Sequence, residues 1–367
     1  MKEPKIGRRS YRLPTAAFVA GFSVFLGACS NENGQNSLSP KGPAAQTIHN
    51  LFIPVLIVAI VIGIAIIAAT FYVALRFRHR EGRSDNPKQI HGNSMLEIGW
   101  TIVPALILAV IAVPTVSTIF ALAERPTGPD VLVVDASGKQ WWWQFELGKQ
   151  PMVPSNIVTS TELHIPVNTK VLVRLHSDNA IHSFWIPELA GKKDVMPART
   201  NEVVLEASAP GTFLGACAEY CGLSHANMRM RVIASSMADW EAWRDDQIGG
   251  PAQAYTGDVA QLTGATYGCT NCHIFDNSTK TNYGPNLTHL ASRTTFAGGT
   301  YELNRENLTR WVMDAPSMIA MQSKDCRLPP PATCVGMPSF IKNTPKGQPV
   351  MTQSDADAIV SYLLGET

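Results

Sequence analysis

Two stretches of the chain are apolar throughout. Residues 51–75 and 98–122 hold no Asp, Glu, Lys or Arg. At 1.5 Å per residue each reaches about 38 Å as a helix, enough to cross a hydrocarbon core of about 30 Å. Pro54, Pro104 and Pro114 lie inside these runs, which membrane spans tolerate when neighbouring groups satisfy the released backbone. After residue 122 the pattern changes. Residues 131–134, 163–167, 171–175 and 203–205 are short β-branched runs separated by Asp, Gly, Pro and Asn, a spacing that predicts a sandwich or barrel. Past a Gly- and Pro-containing break, 355–364 carries helical patterning with Ile359, Tyr362 and Leu363 on one face, and 257–267 can form a helix. The expected division is a signal at 1–28, an N-terminal segment at 29–50 and a hairpin of spans at 51–122 with its loop at 76–97. A strand-rich domain at 123–243, a linker at 244–254 and an all-α domain at 255–367 follow.

Charge gives the orientation. Charged residues are 16% of the chain, below the roughly 25% of a soluble domain. Thirty Lys and Arg against 29 Asp and Glu leave no single-sign field, which excludes a strongly basic nucleic-acid binder. The 45% apolar content excludes wholesale disorder. The loop between the spans carries Arg76, Arg78, Arg80, Arg83 and Lys88, while segment 29–50 has Lys41 alone. Positive residues stay inside, so the loop is expected in the cytoplasm and everything after residue 122 in the periplasm of a bacterial plasma membrane. Lys2, Lys5, Arg8, Arg9 and Arg12 precede an apolar run at 16–26, the form of an export signal. That run ends in Leu26-Gly27-Ala28-Cys29, which resembles a lipoprotein lipobox and implies lipid on Cys29; a plain cleaved signal or a third span are the alternatives. In an exported chain the other cysteines are expected as disulfides or cofactor ligands.

The run from Cys217 through Glu219, Cys221 and His225 to Met228 gathers two thiols, an imidazole and a thioether. His182 stands upstream at the end of a strand-like segment. Soft sulfur with imidazole selects copper or zinc, and a weak thioether tunes an electron-transfer copper. Structural zinc sites favour cysteines two residues apart and do not use Met. A Cys217–Cys221 disulfide is the plainer alternative.

The pattern C-x-E-x-C-x-x-x-H-x-x-M, with Ile181-His182-Ser183-Phe184 before it, resembles the binuclear copper site (CuA) of cytochrome c oxidase subunit II. The resemblance covers residues 51–243 and implies a cupredoxin-like barrel after the two spans. It implies that His182, Cys217, Cys221, His225 and Met228 bind two copper ions through their side chains, Glu219 through its carbonyl, both thiolates bridging. It further implies a magnesium ion shared with subunit I and held partly by the Glu219 carboxylate. Gln140-Trp141-Trp142-Trp143 resembles the family's aromatic segment, where Trp141 would receive electrons from a docked cytochrome; taken alone, a Trp cluster is core or interface packing. Leu96-Glu97 with Trp100-Thr101 resembles the start of the family's second span, which would put Glu97 at the cytoplasmic mouth of a proton pathway. Taken alone, Glu97 there simply suits the helix dipole.

Cys269-Thr270-Asn271-Cys272-His273 is the C-x-x-C-H signature of covalent c-type haem attachment. Residues 255–367 resemble class I cytochromes c, with Gly284-Pro285-Asn286-Leu287 similar to the loop after the attachment site. His273 would be one axial ligand. Met337, in Gly336-Met337-Pro338-Ser339-Phe340, fits the other, with Met318 and Met321 as rivals; a His/Met pair raises the haem potential. Cys326 and Cys334 flank a Pro-rich loop and are expected to pair.

These features together predict a lipid-anchored subunit II fused to its own cytochrome c. Electrons from an upstream cytochrome c or cytochrome bc complex would pass from haem c to CuA and on to haem in subunit I, where oxygen is reduced with proton translocation. Subunit III is a further expected partner. The alternative is the CuA subunit of a nitric oxide reductase. A quinol oxidase subunit keeps the fold without the copper ligands, and a copper-delivery lipoprotein would need an open site.

Overall fold

A computed structural model describes residues 34–78, 91–251, 253–276, 283–321, 335–342, 344–345 and 347–366. The signal and Cys29, most of the loop between the spans, and the expected Cys326–Cys334 pair lie outside the described residues.

Helices α1 (Pro43–Arg76) and α2 (Ser94–Leu122) form an antiparallel pair, each long and apolar enough to cross a membrane. Their side chains, among them Ile64, Phe71, Val110 and Phe120, are largely exposed, as lipid- or subunit-facing surfaces are. Helix α1 begins eight residues earlier than the charge-free run, because Pro43 suits the first helical turn. That early start ties the helix to the strand-rich domain. Lys41 N–H donates to the Glu188 carbonyl at 2.7 Å, Ala45 N–H to the Leu189 carbonyl at 3.1 Å, and Ser208 N–H to the Lys41 carbonyl at 2.9 Å. Helix α2 is capped by Asn93, whose side chain accepts from Met95 and Leu96 N–H.

Ten strands build two five-stranded sheets. They are β1 (Leu132–Lys139), β2 (Trp142–Leu147), β3 (Ile157–Ser160), β4 (Glu162–Pro166), β5 (Val171–Ser177), β6 (His182–Trp185), β7 (Lys193–Val195), β8 (Asn201–Leu205), β9 (Gly211–Cys217) and β10 (Arg229–Ser235). One sheet runs β3-β2-β1-β5-β8 and the other β4-β10-β9-β6-β7. Strand β1 alternates buried and half-buried residues along its whole length, the period-2 signature of a sheet with one face on a core. Trp143, Phe145 and Phe184 meet edge to face between the sheets. Parallel pairs β1/β5 and β4/β10 among antiparallel ones give the cupredoxin-like topology expected.

Helix α3 (Met237–Ile248) follows, capped by Ser236 and anchored by buried Trp240, whose indole N–H donates to the His164 carbonyl. It extends past residue 243, so the first residues of the expected linker are helical. The C-terminal unit contains α4 (Gly257–Gln261), α5 (Arg305–Met318) and α6 (Gln353–Leu363) around Tyr267, Phe275, Leu308, Val312, Ile359 and Leu363. It departs from an all-α pattern in two ways. The 257–267 stretch is α-helical only to Gln261 and then widens into a π turn over Leu262–Thr266. A small hairpin of β11 (Thr295–Phe296) and β12 (Tyr301–Glu302) is inserted, held by Phe296, Tyr301 and Trp311 packed ring on ring.

Candidate metal centre

Strand β6 begins at His182, β9 ends at Cys217, and β10 begins one residue after Met228. The neighbouring pairings β6/β9 and β9/β10 therefore bring these residues to one end of the second sheet. Cys221 and His225 lie on the loop between β9 and β10, which turns through a short 3-10 segment at His225–Asn227. Residues far apart in sequence meet here because their strands are neighbours and present them at the same end of the sheet.

The geometry is close. Cys217 Sγ lies 3.8 Å from Cys221 Sγ, 3.8 Å from His182 Nδ1 and 3.2 Å from the Glu219 carbonyl oxygen. Cys221 Sγ lies 3.6 Å from His225 Nδ1 and 3.8 Å from Met228 Sδ. The two cysteines are thiols, not a disulfide. The ligand atoms of His182, Cys217 and Cys221 all lie within 4.8 Å of one another. Cys217 and Cys221 share a sulfur–sulfur hydrogen bond, which pulls the Cys217 pKa far below the thiol range against burial and pushes Cys221 up. Both sulfurs would lose their protons on binding a metal. His182 is fully buried and its Nε2 has no partner among the described residues. Two thiols and a buried thioether are soft donors, and with two imidazoles facing sulfur through Nδ1 and a carbonyl they form a set that fits copper.

Two features around the cluster escaped the sequence. Gly138 on β1 leaves room for the His182 ring: a Cβ there would lie 2.8 Å from His182 Cδ2. Only the cross-sheet geometry shows that need. Gln140 donates through Nε2 to the Cys221 carbonyl at 2.7 Å, beside the Trp141 indole N–H at 3.1 Å; the aromatic motif was legible, its hydrogen-bonding neighbour was not. The Glu219 side chain is exposed and accepts its neighbour's Tyr220 N–H, so its carboxylate is open to a partner. Glu97 sits in the first turn of α2, far along the chain from the candidate copper ligands and beside Gly92.

A second cluster lies in the C-terminal unit. Cys269 and Cys272 are thiols, pushed up by burial to about 12 and about 11. The His273 Nδ1 lies 2.8 Å from the Pro285 carbonyl, a bond that places the proton on Nδ1 and leaves Nε2 as the lone pair for a metal. Burial lowers the His273 pKa, keeping the ring neutral. Gly284 lies flat against that ring, where a Cβ would come within 2.6 Å of Cε1. Met337 packs on the same core, and its N–H donates to Met321 Sδ at 3.2 Å. These residues fit a covalently held haem: two adjacent thiols, an oriented imidazole and a thioether nearby.

The copper domain matches the profile of the cytochrome c oxidase subunit II periplasmic domain over residues 132–235, and residues 31–118 match that family's transmembrane domain. The chain is 33% identical over 348 residues to cytochrome c oxidase subunit 2 of Alkalihalophilus pseudofirmus, covering 93% of each. It is 33% identical over 225 residues to quinol oxidase subunit 2 of Bacillus spizizenii, covering 59% of this chain and 67% of that one. The crystal structure of the periplasmic domain of cytochrome oxidase subunit II of Bradyrhizobium japonicum aligns at 26% identity and a TM-score of 0.31, covering 33% of this chain and 96% of that chain. The chain belongs to the cytochrome c oxidase subunit II family, a membrane-bound subunit of a haem–copper oxidase whose family carries a CuA site and works with subunit I.

Proposed function

We propose that this chain is the electron-accepting subunit of a cytochrome c oxidase and carries its own haem c. In this reading His182, Cys217, Glu219, Cys221, His225 and Met228 hold two copper ions, and Cys269, Cys272, His273 and Met337 hold the haem. When bound, these groups supply one-electron relays from a cytochrome donor to the haem of subunit I. The residues do the rest. The buried sulfurs and His182, with half-buried His225, would form a closed donor set that leaves no position for bond-making. The Pro285 carbonyl orients His273, and the Trp141 side chain bonded to the Cys221 carbonyl couples the aromatic segment to the copper loop. The Glu219 carboxylate reaches outward for a magnesium ion shared with subunit I. Glu97 takes a proton at the cytoplasmic mouth of a pathway, with loop 76–97 inside and both relay domains in the periplasm. Cys29 carries a lipid, and subunit III joins the complex.

The observation carrying this reading is the pair of unbridged thiols at 3.8 Å, with an imidazole beside each. The alignment spanning 93% of the chain supports it by running well into the haem-motif unit. Low-temperature electron paramagnetic resonance of the oxidised complex tests it. One electron shared by two equivalent coppers is expected beside a low-spin haem signal. A single-copper pattern, or no copper signal with normal haem, overturns the copper relay.

A further inference from the structure

The strand-rich domain and the C-terminal unit meet across a polar seam. Glu162, the first residue of β4, is fully buried. Its carboxylate accepts the N–H of Thr294 at 3.1 Å, the N–H of Thr295 at 2.9 Å and the Thr295 hydroxyl at 2.8 Å, and the Thr294 hydroxyl as well. Every one of these donors belongs to the C-terminal unit. The adjacent Arg293, also buried, reaches the other way and donates to Ser160 Oγ at 2.8 Å. Bonds to an ionised carboxylate are stronger than neutral ones, and a carboxylate buried without them is costly. Glu162 therefore reads as a charge matched to this surface.

The seam runs on to the copper ligands. The Gly298 carbonyl accepts Arg229 N–H at 2.9 Å, and the Thr300 hydroxyl donates to the Asn227 carbonyl at 3.3 Å. Asn227 and Arg229 flank the ligand Met228. Gly298 has φ +65°, and a Cβ on it would lie 2.4 Å from the Asn227 carbonyl oxygen and 3.1 Å from that of Trp141. Only glycine permits this approach. On the other side of the loop the Ser224 hydroxyl donates to the Ala320 carbonyl, next to His225. Transient redox encounters bury little and stay wet; here a charge and a hydroxyl are sealed at the contact.

We propose that Glu162 and Gly298 are positioning residues that hold the C-terminal unit against the copper-ligand loop in one standing pose. The unit does not swing on its connection after α3. The pose stands on geometry alone. Its consequence, that an outside donor meets the C-terminal unit and not the copper loop, rests on the relay reading.

Hydrogen exchange on the purified oxidase complex tests the pose through the amides of Thr294 and Thr295, both bonded to Glu162. They are expected to exchange at least about tenfold more slowly than in a free peptide of the same sequence. Glu162→Gln offers one carbonyl oxygen and an NH2 group to the same donors, so exchange should speed up about tenfold or more. Gly298→Ala should do the same. Gly299→Ala is its matched control: φ there is +73°, yet the nearest atom to an added Cβ is Thr161 Cγ2 at 3.4 Å, so the turn is equally strained without the collision. In the same Gly298→Ala samples, copper reduction following rapid reduction of the haem should slow about tenfold with both spectra unchanged, a loss of roughly 1.4 kcal/mol. Peptide-like exchange in the unmodified complex overturns the pose. Unchanged exchange in both variants, or equal effects of the two alanines, overturns the assigned roles. Copper and haem content measured alongside keeps the readings apart: protected amides without a two-copper signal would sink the relay and leave the pose standing.

Discussion

The Trp141 indole N–H and the Gln140 side-chain amide both donate to one oxygen, the Cys221 carbonyl, at 3.1 and 2.7 Å. This fastens the aromatic segment between β1 and β2 to the loop that carries four of the copper-ligand candidates, Glu219, Cys221, His225 and Met228. Because Trp141 is half-buried and Trp143 fully buried, the segment divides into a packing residue and a coupling residue. Replacing Trp141 by Leu removes both the ring and the bond while leaving every ligand in place. Copper content should stay at the unmodified level, and haem-to-copper transfer should slow about tenfold, equivalent to roughly 1.4 kcal/mol. Flash reduction followed at the copper absorption band measures it. An unchanged rate would reduce Trp141 to a packing residue.

Gly138 offers a sharper test of the site's geometry. A methyl group there meets His182 Cδ2 at 2.8 Å and Cγ at 3.0 Å, and both neighbours are held within the core. Overpacking of this kind costs about 1–3 kcal/mol. Gly138→Ala should lower copper affinity and the melting temperature while haem content is unchanged. Gly148→Ala, with no atom within 4 Å of the added Cβ, is the comparison. If both variants bind copper alike, the His182 ring is not confined as the structure has it.

The spans, the alternating strand β1 and the run of candidate ligands from Cys217 to Met228 are legible because each is local. A charge-free stretch, a period of two and a spacing of four residues need no knowledge of the rest of the chain. What escaped depends on surfaces that sequence does not bring together. Glu162 reads as an ordinary strand-end carboxylate until Thr294 and Thr295 are placed against it. Gly138 and Gly298 look like turn residues until the His182 ring and the Asn227 carbonyl arrive from other elements. The 257–267 segment is regular α-helix only to Gln261, because the backbone widens into a π turn over Leu262–Thr266 ahead of Cys269.

The choice between thioethers can be settled chemically. Met321 Sδ already accepts the Met337 N–H at 3.2 Å, while Met337 packs with Phe340 and Met351 on the core that holds Tyr267. Met337→Leu should convert the haem from low to high spin and lower its potential by loss of the thioether. Met321→Leu should leave the low-spin spectrum in place. Optical spectra and a redox titration read both; a reversed pair of results would move the axial role to Met321.

His164 supplies a pH dependence with a definite sign. Its ring stacks on Trp243 at 4.3 Å, and burial lowers its pKa from 6.5 to about 4, with Glu162 pulling upward and Arg293 downward. The folded chain therefore keeps this imidazole neutral where the unfolded chain takes up a proton. Stability is untouched by His164 above pH 6.5, falls as pH drops from there to about 4, and levels off below, for a total of at most about 3 kcal/mol. His164→Gln cannot take the proton, so its copper domain should lose less stability between pH 7 and pH 5 than the unmodified domain does. Denaturant midpoints at the two pH values give the comparison. Parallel losses in both proteins would mean that His164 titrates as an ordinary exposed histidine and that its stacking on Trp243 does not exclude water.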